Sequence, residues 1–189
     1  MRWHELFADL EARARTLEQA DLELEIADRT RAEVGEIRLA NRLRSALGAT
    51  VRLQVQSVGL VEGRLERVGR DWLLVSTPSD VVVALAAVGA ALDLSATAVS
   101  PEGLSPVASR LSLTAALRAI AVDRSAVTVR MRDGGSYSGT PDRVGADFVD
   151  LSLHDLGEPR RQAAVRGRCT VAFAALAVVC RHGDPWAAP

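Results

Sequence analysis

Residues 49–76 of this chain recur at 125–152 with a constant offset and no gap. Val51 matches Val127, Gly59 matches Gly135, Gly63 matches Gly139, and Arg67-Val68-Gly69 matches Arg143-Val144-Gly145. Asp71, Trp72 and Ser76 match Asp147, Phe148 and Ser152. A repeated unit of this length restricts a 189-residue chain to two copies of a small module, each of about 60 residues. Such a module is marginal alone, so the copies are expected to pack on one another or on the N-terminal segment. Only three Trp, three Phe and one Tyr are present, which leaves Val, Leu and Ala to build the cores.

The segment before the first copy is helical in pattern. Trp3, Leu6, Leu10, Ala14, Leu17, Ala20, Leu24 and Ala27 follow at steps of three or four, with charged residues on most other faces. The stripe ends at Arg31, short of a sustained coiled coil, and fits either packing against the rest of the chain or self-association. Trp3, Leu6, Leu10 and Leu17 are the candidate interface of that helix. Between Asp21 and Gly35 both strand and helix patterns fit, and helix with a break near Gly35 is preferred.

Each copy then opens with a short helix, because Ile37 to Arg44 reappears as Leu111 to Arg118, and Gly48 stops the first one. Alternation at Val51, Leu53 and Val55, and again at Val127, Val129 and Met131, predicts a first strand in each copy. Asp133-Gly134-Gly135 is a tight-turn signal, with Ser57-Val58-Gly59 its looser equivalent. The second strands, Leu60 to Val68 and Tyr137 to Val144, each carry an internal glycine where a strand bends; Pro141 predicts an edge position or a bulge. Strands at Trp72 to Val75 and Phe148 to Leu151 follow, then a fourth strand with a fifth close behind at Val83 to Val88 and Val171 to Leu176. The reading divides the chain into a helical segment (1–36), a first repeat (37–95), a linker (96–110), a second repeat (111–181) and a mobile tail (182–189).

A short helix followed by five strands, with the run G-x-L-x-x-V-G-x-D-W-L-L-V from Gly63 to Val75, resembles the Sm-like fold of Sm, LSm and Hfq proteins. Val83 with Ala87-Val88 resembles the shorter second signature of that family. The resemblance covers about two thirds of the chain and implies an α+β, mostly β architecture. It implies two tandem Sm-like or SH3-like small barrels behind the N-terminal helical segment. In RNA-binding members an Asp after the second strand and a polar residue in the third help hold a base. Here Gly69 and Leu73, and in the second copy Gly145 and Val149, stand at those places, so that pocket is not carried over. Asp71 and Asp147 read as turn residues bonding their local backbone.

No constellation points to chemistry. His4, His154 and His182 are scattered, and Cys169 and Cys180 lack the spacing of a ligand set, so no metal is expected. The two cysteines read as small buried hydrophobes in a reducing compartment. Nucleophilic catalysis needs a base near a Ser or Cys, and only His154-Asp155 offers one; it reads as part of a surface loop, so no catalytic residue, cofactor or small-molecule substrate is assigned. The opening segment is too charged for a signal peptide and no apolar run reaches a membrane span, which predicts a cytoplasmic protein.

All 23 basic residues are Arg, as in chains from GC-rich genomes, and the net charge of −1 argues against strong attraction to a polyanion. One segment stands out against that balance. A twelve-residue insertion in the second copy places Arg160, Arg161, Arg166 and Arg168 together, with only Glu158 beside them. Arginine forks grip phosphates and carboxylates, so this loop is the candidate anion or nucleic-acid contact. The leading expectation is a non-enzymatic interaction or scaffold protein that binds another protein or its own copy. An RNA- or DNA-binding regulator acting through the arginine loop is the alternative, and an enzyme ranks third.

Overall fold

The computed structural model describes residues 34–99, 111–154 and 167–181 continuously, together with scattered positions between 13 and 32. The chain divides into two compact units, Met1–Arg38 and Leu39–Pro189. In the first, every described position from 13 to 36 is helical, Gly35 included, and the helix stops at Glu36: Ile37 and Arg38 are non-helical, so the break falls just after Gly35. Leu22, Leu24, Ile26 and Val34 of this stretch are exposed. Trp3, Leu6, Leu10 and Leu17 lie outside the described residues, as do 100–110 of the expected linker and the tail 182–189.

The second unit is mostly β. A short helix α1 (Leu39–Ser45) precedes β1 (Thr50–Val55), β2 (Gly59–Val68), β3 (Trp72–Ser76), β4 (Asp80–Ala84) and β5 (Val88–Leu92). A longer helix α2 (Leu113–Asp123) precedes β6 (Val127–Met131), β7 (Ser136–Val144), β8 (Phe148–Leu153), β9 (Gly167–Ala172) and β10 (Leu176–Arg181). In both halves a single 3₁₀ turn, Leu85–Ala87 or Phe173–Ala175, separates the last two strands.

Local chemistry explains why the two halves share this order. β1 alternates exposed and buried residues, with Val51, Leu53 and Val55 inward. β2 and β7 run past β3 and β8 so closely that a Cβ on Gly63 would strike the carbonyl of Ser76, and one on Gly139 that of Ser152. Just beyond, the register shifts between Leu65 and Arg67 on β2, and between Pro141 and Arg143 on β7. A bulge here bends each long strand and increases its twist. Pro141 thus sits at a bulge of an interior strand and not at an edge.

All ten strands belong to one open antiparallel sheet in the order β5-β1-β2-β3-β4-β10-β6-β7-β8-β9. The Sm-like resemblance implies two tandem small barrels; the ten described strands form one sheet that is not closed, in which β4 finds its second partner in the other half. The register there sets Val83 opposite Val178, Val82 opposite Val179 and Val81 opposite Cys180. Every one of these side chains is buried. One hydrophobic cluster accordingly runs through both halves, from Leu43 and Leu53 to Leu117 and Val149.

Three residues of the β2–β3 turn fasten the second helix to the first half. The amide of Arg70 and the indole Nε1 of Trp72 both donate to the Leu111 carbonyl, at 2.9 and 3.0 Å. The carboxylate of Asp71 accepts from the Leu113 amide at 2.6 Å, while the Ser112 hydroxyl accepts from the Ala115 amide at 3.3 Å. Together they satisfy amides that the first turn of α2 leaves open. The expectation that Asp71 bonds only its local backbone is therefore corrected: its carboxylate reaches 42 residues along the chain. On α1 the guanidinium of Arg44 donates to Asn41 Oδ1 at 2.8 Å and to the Gly69 carbonyl at 2.7 Å, tying that helix to the same turn. Partial burial lowers the Arg44 pKa from its ordinary value.

Candidate functional site

Where the two halves meet, α2 lies over the sheet and leaves a cleft of about 390 Å³. Its floor is Leu74 of β3, Val82 of β4, Val179 of β10 and Val127 of β6, and its wall is Ala115, Ala116, Ala119 and Ile120 of α2. Charged residues stand at the margin: Arg67, Asp80, Asp123 and Arg181 also line it, and Arg181 pairs with Asp123 at 3.4 Å. The sheet supplies apolar side chains here because β4 and β10 are buried on both faces, while small alanines on α2 keep the gap open. Such a surface can receive an apolar group. Ser125 also lines it, and its hydroxyl donates to the Asp123 carboxylate.

The two ends of the sheet are the other exposed feature. Among the described residues β5 bonds only to β1, and β9 only to β8. Each leaves one row of backbone amides and carbonyls without a strand partner. Leu92 at the end of β5 is 41% exposed. Arg168, alone of the four arginines singled out in the insertion, lies within the described residues, exposed on β9 opposite Ser152 of β8. Arg160, Arg161 and Arg166 lie outside them, so the expected cluster is seen only at this one member.

His154 occupies a different place from the surface loop expected for it. It directly follows β8 with 4% exposure, and its Nε2 lies 2.9 Å from the buried Thr140 hydroxyl. Ser152 donates to the Asp142 carboxylate, and Thr128 and Ser138 share a hydrogen bond of 3.0 Å. Thr128, Thr140, Ser152 and His154 are all buried, whereas Arg52, Glu62 and Arg64 on the corresponding strands of the first half are not. Buried hydroxyls and an imidazole need partners, and these side chains largely supply one another. Asp155 lies outside the described residues.

Cys180 is fully buried and Cys169 half-buried, on β10 and β9, and neither forms a disulfide. Among the described residues no group of three His, Cys, Asp or Glu is placed to hold a metal, and no helix is long and apolar enough to cross a membrane. The sequence reading missed the cleft and the sheet ends, since both arise from β4 pairing with β10 across the two copies. The one available signal was the apolar run in Val81 to Ala84, buried on both faces and so in need of two neighbours. With that geometry in view, comparison of the chain with protein-family models, with curated proteins and with solved structures yields no match.

Proposed function

We propose that this chain is a non-enzymatic cytoplasmic interaction protein, built of two tandem Sm-like units at 37–95 and 111–181, which engages protein partners through the ends of its sheet. The observation that carries the reading is that, among the described residues, the terminal strands β5 and β9 each have one strand neighbour while the other eight described strands have two. An open row of backbone donors and acceptors binds an extended strand by adding it to the sheet. Support for the two-unit reading is that each half runs short helix, then five strands, with the second strand bent at a close-packed glycine.

The nucleic-acid alternative rests, among the described residues, on Arg168 at the β9 edge. A single assay separates the two. Affinity capture with the full chain is run with and without nuclease and across a salt series. The interaction reading expects protein partners, a second copy among them, to remain after nuclease treatment with a shallow salt response. Loss of the captured material on nuclease treatment, with binding that falls steeply as salt rises, would replace it with the nucleic-acid reading.

A further inference from the structure

We propose that the segment following Arg181 folds back into the cleft beneath α2 and seats Trp186 against the alanine face of that helix. The inference is independent of the sheet-edge reading above. Its template lies in the first half, where the residues that follow β5 run back over α1. The Val99 amide donates to the Asn41 carbonyl at 3.1 Å, and the Ser45 hydroxyl donates to the Thr97 carbonyl at 2.8 Å. The Arg42 guanidinium donates to the carbonyls of Leu94 and Ser95 at 3.0 and 2.8 Å. Residues 94–99 thereby cover one side of that helix.

The second half repeats the strand and the helix but exchanges the side chains between them. β10 pairs with β6 in the register that β5 keeps with β1, Val179 facing Val129 as Ala91 faces Leu53. The residues after β10 therefore correspond to those after β5, with His182 to Ala187 at the places of Leu94 to Val99. On the helix, Asn41, Arg42 and Ser45 become Ala115, Ala116 and Ala119, which form the wall of the cleft. Trp186 takes the place of Ala98, whose two neighbours are the residues bonded to Asn41 and Ser45. Small side chains replace polar ones on the helix and a large one replaces a small one on the segment. An indole there would fill the volume that the alanines leave.

The gap is built into the fold. Arg70, Asp71 and Trp72 bond the start of α2 to the β2–β3 turn, and Arg181 meets Asp123 at its far end, so the helix is held off the floor of the cleft. An apolar space of about 390 Å³ is a poor seat for water and a good one for an aromatic ring. Reach is not limiting. Arg181 already lines the cleft, and Trp186 lies five residues on, about 17 Å of extended chain, against about 12 Å along α2 from Ala115 to Asp123. Asp80 at the margin offers a carboxylate to the indole N–H, the polar group that a buried Trp must satisfy. Attachment to β10 keeps the local concentration of the indole high, so an apolar group from another molecule enters the cleft by displacing it.

The test uses the full chain labelled with fluorotryptophan, in which the fluorine resonance lost in Trp186→Phe is that of Trp186. That resonance is expected away from the position of the free amino acid and insensitive to replacing water by deuterium oxide. Ala119→Phe, and separately the milder Ala115→Leu, should move it to the solvent-exposed position, with circular dichroism showing that each variant is folded. The parent is expected to bind anilinonaphthalene sulfonate weakly. Trp186→Ser should raise that binding severalfold, and adding Ala119→Phe should remove the gain. A Trp186 resonance at the exposed position in the parent would overturn the proposal. So would a buried Trp186 that neither cleft variant moves, because its seat would then lie elsewhere. A Trp186 that is buried in concentrated protein and exposed in dilute monomer would assign the cleft to the segment of a second copy, and would equally overturn folding back within one chain.

Discussion

Gly63 shows how much a single residue decides in this fold. A methyl group there has no room against the Ser76 carbonyl and the Val75 side chain, and the obstacle is backbone that cannot rotate away. Gly63→Ala and Gly139→Ala are each expected to lower stability by about 1–3 kcal/mol, the range for forcing extra volume into packed structure. Chemical denaturation read by circular dichroism would check this; a neutral result would show that the bends at β2 and β7 are looser than described. These glycines were legible in the sequence because their signal is local. His154 was not, since what fixes it is Thr140 on the neighbouring strand, 14 residues back. Nothing in the run Leu153-His154-Asp155 distinguishes a loop histidine from one at a buried strand end.

Helices and strands divide into those that the chain specifies alone and those that the other half completes. The first three strands of each copy follow from alternation and turn residues, and the structure has them where the pattern puts them. β4 and β10 are different: apolar on both faces, they announce burial without naming a neighbour, and their pairing joins residues nearly a hundred positions apart. The cap on α2 belongs to the same class, as its carboxylate comes from Asp71 in the first half. Asp71→Ala is expected to lower stability by about 1 kcal/mol, and Asp71→Asn by less, because an amide oxygen can still accept from Leu113. Thermal melts of the two variants would check the order. Equal losses would indicate that charge at the helix end matters more than the hydrogen bond.

At the scale of the whole second unit, one hydrophobic cluster and one sheet cross the boundary between the copies. The two halves are therefore expected to unfold in a single transition. In a variant keeping Trp72 as its one tryptophan, fluorescence would report the seam and far-ultraviolet circular dichroism the whole sheet, and the two midpoints should coincide. Separated midpoints would mean that each half holds its own structure. The repeat thus made the parts legible and left their joining hidden, because a copy compared with itself gives no sign of which strand meets which.

The fastening of α2 by Arg70, Asp71 and Trp72 also bears on the order in which the chain acquires structure. The partners of Leu111 and Leu113 lie in a turn made some forty residues earlier, and α2 in turn overhangs the strands of its own half. A chain that leaves the ribosome N-terminus first completes the dock before the helix that needs it. Synthesis and dependence run in the same direction, so the second copy emerges onto a surface already prepared for it.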